Sequence, residues 1–211
     1  MIDFLKRHSF PLVAILRGVT TAEAPQVARI LFAAGFRLLE VPLNRAEALE
    51  AIAAIRAIAP DDALIGAGTV LRCDDVDAVR KAGGQLIVSP SCDAQVIAHA
   101  VDCDMLSLPG VATPTEAFTA LNAGAHGLKL FPAEMINPAA VRALRSILPA
   151  DTPLLPVGGI SVRNMAAYIA AGADGFGIGG QLYSPGIDLV RLEIAAKNFM
   201  VARKEILASH K

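Results

Sequence analysis

The chain has no tryptophan and only 5% aromatics, so its interior must be filled by Ala, Leu, Ile and Val, which dominate a hydrophobic content of 54%. Such a core suits strands of branched aliphatics ringed by helices. Cysteine is scarce: Cys73, Cys92 and Cys103 are odd in number, form no Cys-x-x-Cys pair and have no histidine neighbour read at zinc-ligand spacing. Reduced structural thiols are the reading, not a disulfide frame or a zinc knot. Excess charge of either sign is missing too. A formal net charge of −1 gives no general pull on nucleic acid or an anionic membrane, and both are discounted as partners. The start MIDFLKRHSF lacks the apolar stretch of a signal peptide, and no later run is long enough to span a bilayer, so a cytoplasmic protein is expected. No Ser/Pro-rich linker divides the 211 residues, and a single domain over 1–211 is expected.

What is present is a repeated unit of apolar run, polar loop, amphipathic stretch and Ala-Gly stop. Eight strands are predicted, at Pro11–Arg17, Arg37–Leu43, Ala63–Val70, Leu86–Pro90, Met105–Pro109, Gly127–Phe131, Leu154–Gly158 and Gly175–Gly179. Helices between them carry start signals: Thr20 with Glu23, Asn44 with Glu47, and Thr113 with Glu116 have capping-box spacing, and Pro114 suits a first helical position. Ala34-Gly35, Ala82-Gly83, Ala123-Gly124 and Ala171-Gly172 close helices. Eight units favour a closed (β/α)8 TIM barrel over a doubly wound open sheet, with Ile2–His8 as a short leading helix. In a barrel the loops after the strands carry the chemistry, which directs attention to the strand ends.

Of six lysines, Lys129 alone lies inside an apolar strand, Gly127-Leu128-Lys129-Leu130-Phe131. Desolvation there favours the neutral amine, a nucleophile toward ketones, although an outward lysine snorkelling between helices is the other reading. Glu40 ends the run Leu38-Leu39-Glu40-Val41. A carboxylate there is costly unless it works as an acid/base or pairs with Lys129 or Arg17. Arg17 and Thr69 close the first and third predicted strands as candidate anion ligands, with a surface cap as the alternative for the arginine. Gly158-Gly159 and Gly179-Gly180 end the last two strands, where barrels recurrently bind phosphate, though a Gly-Gly pair is also simply a tight turn. His8, His99, His126 and His210 read as solvent-facing or structural, and no metal or other cofactor is implied.

These motifs run in a familiar order. Ala14-Ile15-Leu16-Arg17, Leu39-Glu40-Val41-Pro42-Leu43-Asn44, Gly66-Ala67-Gly68-Thr69-Val70-Leu71, Ser89-Pro90, Pro109-Gly110, Leu128 to Glu134, Gly158-Gly159-Ile160 and Gly179-Gly180 together resemble the bacterial 2-keto-3-deoxy-6-phosphogluconate and 2-keto-3-deoxy-6-phosphogalactonate aldolases along nearly the whole chain. The resemblance implies a metal-free homotrimeric (β/α)8 barrel, a Schiff-base lysine at Lys129 and an acid/base glutamate at Glu40. It also implies that Arg17 and Thr69 contact the carboxylate end of a phosphorylated keto sugar acid, and that Gly158, Gly159, Gly179 and Gly180 hold its phosphate. Some relatives have serine after the final Gly-Gly, where this chain has Gln181. Pro42-Leu43-Asn44 resembles the galactonate branch, because the gluconate branch commonly has Thr-Leu-Arg there. Cleavage of the galactonate-derived acid to pyruvate and glyceraldehyde 3-phosphate is the expected reaction, with the gluconate-derived epimer as the near alternative. An isomerase or lyase of the phosphate-binding barrels would use Glu40 and the glycine turns without a covalent intermediate, and a non-catalytic phospho-sugar binder would need no buried lysine.

Overall fold

Short runs that are apolar on both faces can be buried only between two layers, and here they become parallel strands with helices on one side and one another on the opposite side. The computed structural model describes residues 11–209; the expected leading helix at Ile2–His8 lies outside them. In chain order the elements are β1 Leu12–Ile15, α1 Ala24–Ala34, β2 Leu38–Pro42, α2 Ala48–Arg56, β3 Leu64–Gly68, α3 Cys73–Lys81, β4 Leu86–Val88, α4 Ala94–Asp102, β5 Leu106–Leu108 and β6 Gly110–Val111. They continue with α5 Pro114–Asn122, β7 Leu128–Leu130, α6 Pro138–Arg145, β8 Leu154–Pro156, α7 Met165–Ala170, β9 Phe176–Ile178 and α8 Leu189–Ser209. All eight predicted strands are present, shortened at their ends.

The fold is α/β, with all strand pairs parallel and eight helices among the described residues. The sheet is not one uninterrupted ladder. Six strands pair in the order β5-β4-β3-β2-β1-β9, and three in the order β6-β7-β8. The fifth predicted strand ends at Leu108, and a further short strand, β6, which was not predicted, follows Pro109; Pro109 has no N–H to give a ladder, although its carbonyl still accepts from the Lys129 N–H at 2.9 Å. Between β8 and β9 a single bridge joins Val157 to Gly177. There the Asp174 carboxylate accepts from the Leu154 N–H at 2.8 Å, while the Asp174 N–H donates back to the Leu154 carbonyl at 2.9 Å, so a side chain replaces part of the ladder. Arg145 holds that carboxylate at 2.5 Å and reaches the carbonyls of Gly172 and Thr152, fastening α6 to this seam.

Two apolar clusters follow from the alternation of side chains along each strand. Val13, Leu38, Leu64, Leu86, Val88, Leu106, Leu108 and Leu155 face inward from both sheets and pack on one another. A larger cluster, including Leu39, Ile65, Ile87, Leu128, Leu154 and Phe176, packs outward against the helices. Because Leu38 is inward, so is Glu40 two residues on, which explains how a carboxylate enters the interior.

The helix signals are realised unequally. Thr113 and Glu116 form the full capping box, with Pro114 first in α5. Gly35, Gly83, Gly124 and Gly172 all take positive φ after their helices. Thr20 and Glu23 do bond to each other, but in the turn before α1, where Glu23 occupies the cap position without a side-chain cap. Asn44 caps nothing: α2 begins later, at Ala48, with Glu47 in the cap position and again no side-chain cap. No helix among the described residues is long and apolar enough to cross a membrane.

Candidate active site

Lys129 and Glu40 come from different sheets and meet in the same interior chamber. Lys129 is the middle residue of β7, in register with Gly110 on one side and Leu155 on the other, and Glu40 on β2 is in register with Ile15 and Gly66. Both line a small chamber walled by Val13, Ile15, Val88, Leu108, Leu155, Val157 and Gly177. The side chains are 8% and 2% exposed, respectively, which removes the outward, snorkelling reading of the lysine.

That apolar wall disfavours charge on both groups. Burial lowers the Lys129 pKa, opposed by the Glu40 carboxylate and reinforced by the Arg17 cation. Burial raises Glu40 from 4.5 to about 7, opposed by Lys129 and Arg17. One oxygen of Glu40, Oε2, is buried with no hydrogen-bond partner. Its place is defined by Gly68, since a Cβ there would stand 1.7 Å from Oε2; any side chain at Gly68 would expel the carboxylate. Lys129 Nζ also sits 4.8 Å from the centroid of the ring of Phe131, a residue of the neighbouring cleft.

Beyond the chamber lies a cleft of about 400 Å³, sharing Ile15, Val157 and Gly177 with it. Arg17, Phe131, Gly158, Gly159, Gly179, Gly180, Gln181, Tyr183 and Ser184 line it, so the arginine shares one cleft with both glycine turns rather than lying apart from them with Thr69. Gly158 and Gly159 take φ of 115° and 61°, and a Cβ on Gly158 would meet the Glu134 carboxylate at 2.2 Å; the turn therefore presents bare backbone to the cleft. Gln181 is in the lining. Thr69 is not: it follows β3 with a left-handed φ of 57° and lines neither cavity. Pro42 is buried opposite Gly68 and Asn44 is exposed, and neither lines the reacting chamber.

Several groups here carried no local signal. The Tyr183 hydroxyl donates a short hydrogen bond to Glu23 across 160 residues, and the Tyr183 N–H donates to the Gly179 carbonyl at 3.0 Å, so one residue anchors the second glycine turn to the start of α1. The buried Tyr168 hydroxyl donates to the Ala133 carbonyl at 2.9 Å, holding the segment after Lys129 against α7. Phe131 could have been suspected from its position two residues after the lysine.

The arrangement can do a specific kind of chemistry: a buried amine with a lowered pKa and a carboxyl pushed up to about 7 share an apolar-walled chamber beside a cleft that contains an arginine and two glycine turns. Known proteins resemble this chain in sequence and fold. The family model for "KDPG and KHG aldolase" matches residues 3–192. A 2-dehydro-3-deoxy-6-phosphogalactonate aldolase of Escherichia coli (strain K12) is 45% identical over 92% of this chain and 95% of its own. A structure described as native KDPGal superposes with a TM-score of 0.92 at 44% identity, covering 94% of this chain and 97% of that one. A cube-shaped protein cage designed by fusing symmetric oligomeric domains superposes with a TM-score of 0.93 at 43% identity, over 95% of this chain and 74% of that one. With a family model spanning most of its length and relatives at this identity, the chain belongs to the KDPG and KHG aldolase family.

Proposed function

We infer that this protein is a class I aldolase that cleaves 2-dehydro-3-deoxy-6-phosphogalactonate to pyruvate and D-glyceraldehyde 3-phosphate through a Schiff base on Lys129. The observation that carries the reading is the pairing of a buried, depressed-pKa lysine with a buried glutamate raised to about 7 in one chamber. Neutral Lys129 adds to C2 of the keto acid, and loss of water leaves a protonated imine. The Glu40 carboxylate takes the C4 hydroxyl proton as the C3–C4 bond breaks, and the bond's electron pair flows into the imine as an enamine. Proton return to C3 and hydrolysis release pyruvate and restore the amine. Arg17, on the cleft wall, neutralises the substrate's anionic groups, and the bare backbone of Gly158, Gly159, Gly179 and Gly180 receives the phosphate. Thr69 lines neither cavity, and a role for it at the carboxylate end rests on the family resemblance alone.

The same reading treats residues 1–211 as one domain and the two sheets as halves of a closed eight-unit barrel, supported by the Val157–Gly177 bridge and by the chain continuity of β5 and β6 through Pro109. It takes the working assembly as a homotrimer, in keeping with the family resemblance and with a close structural relative built from symmetric oligomeric domains.

Incubation with pyruvate and borohydride tests the covalent step. A reduced pyruvyl adduct, mapped to the peptide containing Lys129, is expected. An unmodified Lys129 in an active preparation would reject the Schiff base and return the site to non-covalent isomerase or lyase chemistry.

A further inference from the structure

Outside the chamber, where α3 and α4 lie side by side in the helical layer, three metal-ligating side chains converge. His99 lies in the last turn of α4 and Cys103 is that helix's C-terminal cap, four residues on, so both project from the same side. Asp77 faces them from α3, with Oδ1 3.0 Å from His99 Nε2. One ligand atom from each of Asp77, His99 and Cys103 lies within 4.8 Å of the other two, and all three residues are half-buried. The His99–Cys103 step of four residues is ligand spacing only because both residues share one side of a helix end.

We propose that Asp77, His99 and Cys103 form a binding site for one borderline-soft divalent cation of the zinc class, which clamps α3 to α4. The donor set selects the metal. An imidazole nitrogen and a thiolate are poor ligands for magnesium or calcium, which take oxygen, whereas zinc accepts nitrogen, sulfur and a carboxylate in one tetrahedron with water at the fourth position. The charges suit it as well: carboxylate and thiolate together neutralise a dication, and the thiol proton leaves to solvent as the metal–sulfur bond forms.

Geometry asks for modest movement. With bonds of about 2.0–2.3 Å, ligand atoms in a tetrahedral zinc centre stand roughly 3.5 Å apart, so the present spread closes by about an ångström through rotation of half-exposed side chains, while both helix backbones stay in place. One group opposes loading. Arg80 Nη1 approaches Cys103 Sγ at 3.9 Å; it is exposed and can swing away, but its charge repels the incoming ion. The site is therefore expected to bind less tightly than it would without that arginine. It lies apart from the chamber lining, so loading leaves aldol cleavage unchanged.

Cobalt titration of the purified full-length protein tests this, with Co²⁺ as the spectroscopic stand-in. A thiolate-to-cobalt charge-transfer band should grow in the near ultraviolet, saturate at one ion per chain and be discharged by Zn²⁺. Cys103→Ser should abolish the band, while Cys73→Ser and Cys92→Ser retain it. His99→Ala and Asp77→Asn should each weaken binding by more than about tenfold. Arg80→Ala, which keeps every ligand, should tighten it, and this measurement stands even if a ligand variant folds poorly. Absence of the band in the wild type, its survival in Cys103→Ser, or binding indifferent to His99→Ala would overturn the proposal. None of these results bears on the borohydride experiment, so the two readings fail separately.

Discussion

Replacing Glu40 by glutamine separates what the carboxyl does for turnover from what its burial costs the fold. The group sits inside β2 with Oε2 unpartnered, and burial raises its pKa from 4.5 to about 7 despite the nearby Lys129 and Arg17 cations. Between the ordinary and the raised value, the native protein holds a proton that the unfolded chain has released. Stability contributed by this group is therefore present in full below about pH 4.5 and declines as pH rises through about 7. A displacement of about 2.5 units, at ~1.4 kcal/mol per unit, amounts to about 3 kcal/mol. Glutamine keeps the shape and cannot ionise. The Glu40→Gln protein should accordingly be more stable than wild type at pH 8 by up to about 3 kcal/mol, an upper value because Lys129 loses its counter-charge. At pH 5 the difference should fall below about 1 kcal/mol. In a chain of this length the pH 8 gain corresponds to a rise in Tm of up to about 10 °C. Turnover should fall by about 10²–10⁴-fold, while pyruvate still forms the trappable adduct. Urea unfolding at one protein concentration, repeated at the two pH values and set beside kcat, measures all three effects. A variant that is less stable at pH 8, or a stability difference that ignores pH, would refute the desolvation argument; near-normal turnover would refute the acid/base role.

The remaining predictions concern the cleft. The galactonate-derived phospho keto acid should have the larger kcat/KM than its C4 epimer, because a site shaped to bond one hydroxyl orientation leaves groups unpaired with the other, which can separate the two by a few kcal/mol; equal values, or the opposite preference, would reassign the substrate without touching the lysine chemistry. Tyr183→Phe removes the hydroxyl bonded to Glu23 and loosens the Gly179-Gly180 turn, so KM for the phosphorylated substrate should rise about tenfold, near the ~1–1.5 kcal/mol of one hydrogen bond. Adduct formation with unphosphorylated pyruvate should stay normal in that variant, and equal damage to both would mark Tyr183 as a general structural residue.

How much was legible in the sequence follows from which interactions are local. Strands buried on two faces read as unbroken apolar runs, so all eight were located, and left-handed glycines after helices were recognisable because few other residues take that conformation. Thr113 and Glu116 were read correctly because a capping box is complete within four residues. Asn44 and Glu47 have the same spacing, yet Asn44 makes no cap, since the chain after β2 runs on to Glu47 before turning helical. The short strand Gly110–Val111 after Pro109 was hidden for a related reason: whether pairing resumes beyond a missing N–H depends on what the neighbouring strand offers.

The site divides in the same way. Lys129 and Glu40 announce themselves because a charge inside an apolar strand is costly and calls for an explanation. The Gly-Gly pairs were legible as turns after the last two strands, and that both line one cleft appears only in the structure. Sequence alone could not say that Lys129 points inward, that a Cβ at Gly68 would displace the Glu40 carboxylate, or that burial outweighs mutual attraction in shifting both pKa values. Nor could it pair Tyr183 with Glu23, or bring Asp77 to His99 and Cys103. The amino-acid order determined the alternation of strands and helices and the placement of costly residues, because those depend on short-range periodicity and burial. Only the tertiary structure decided which of those residues face one another, because contacts between distant segments, and the low dielectric they create, exist only once the strands have come together.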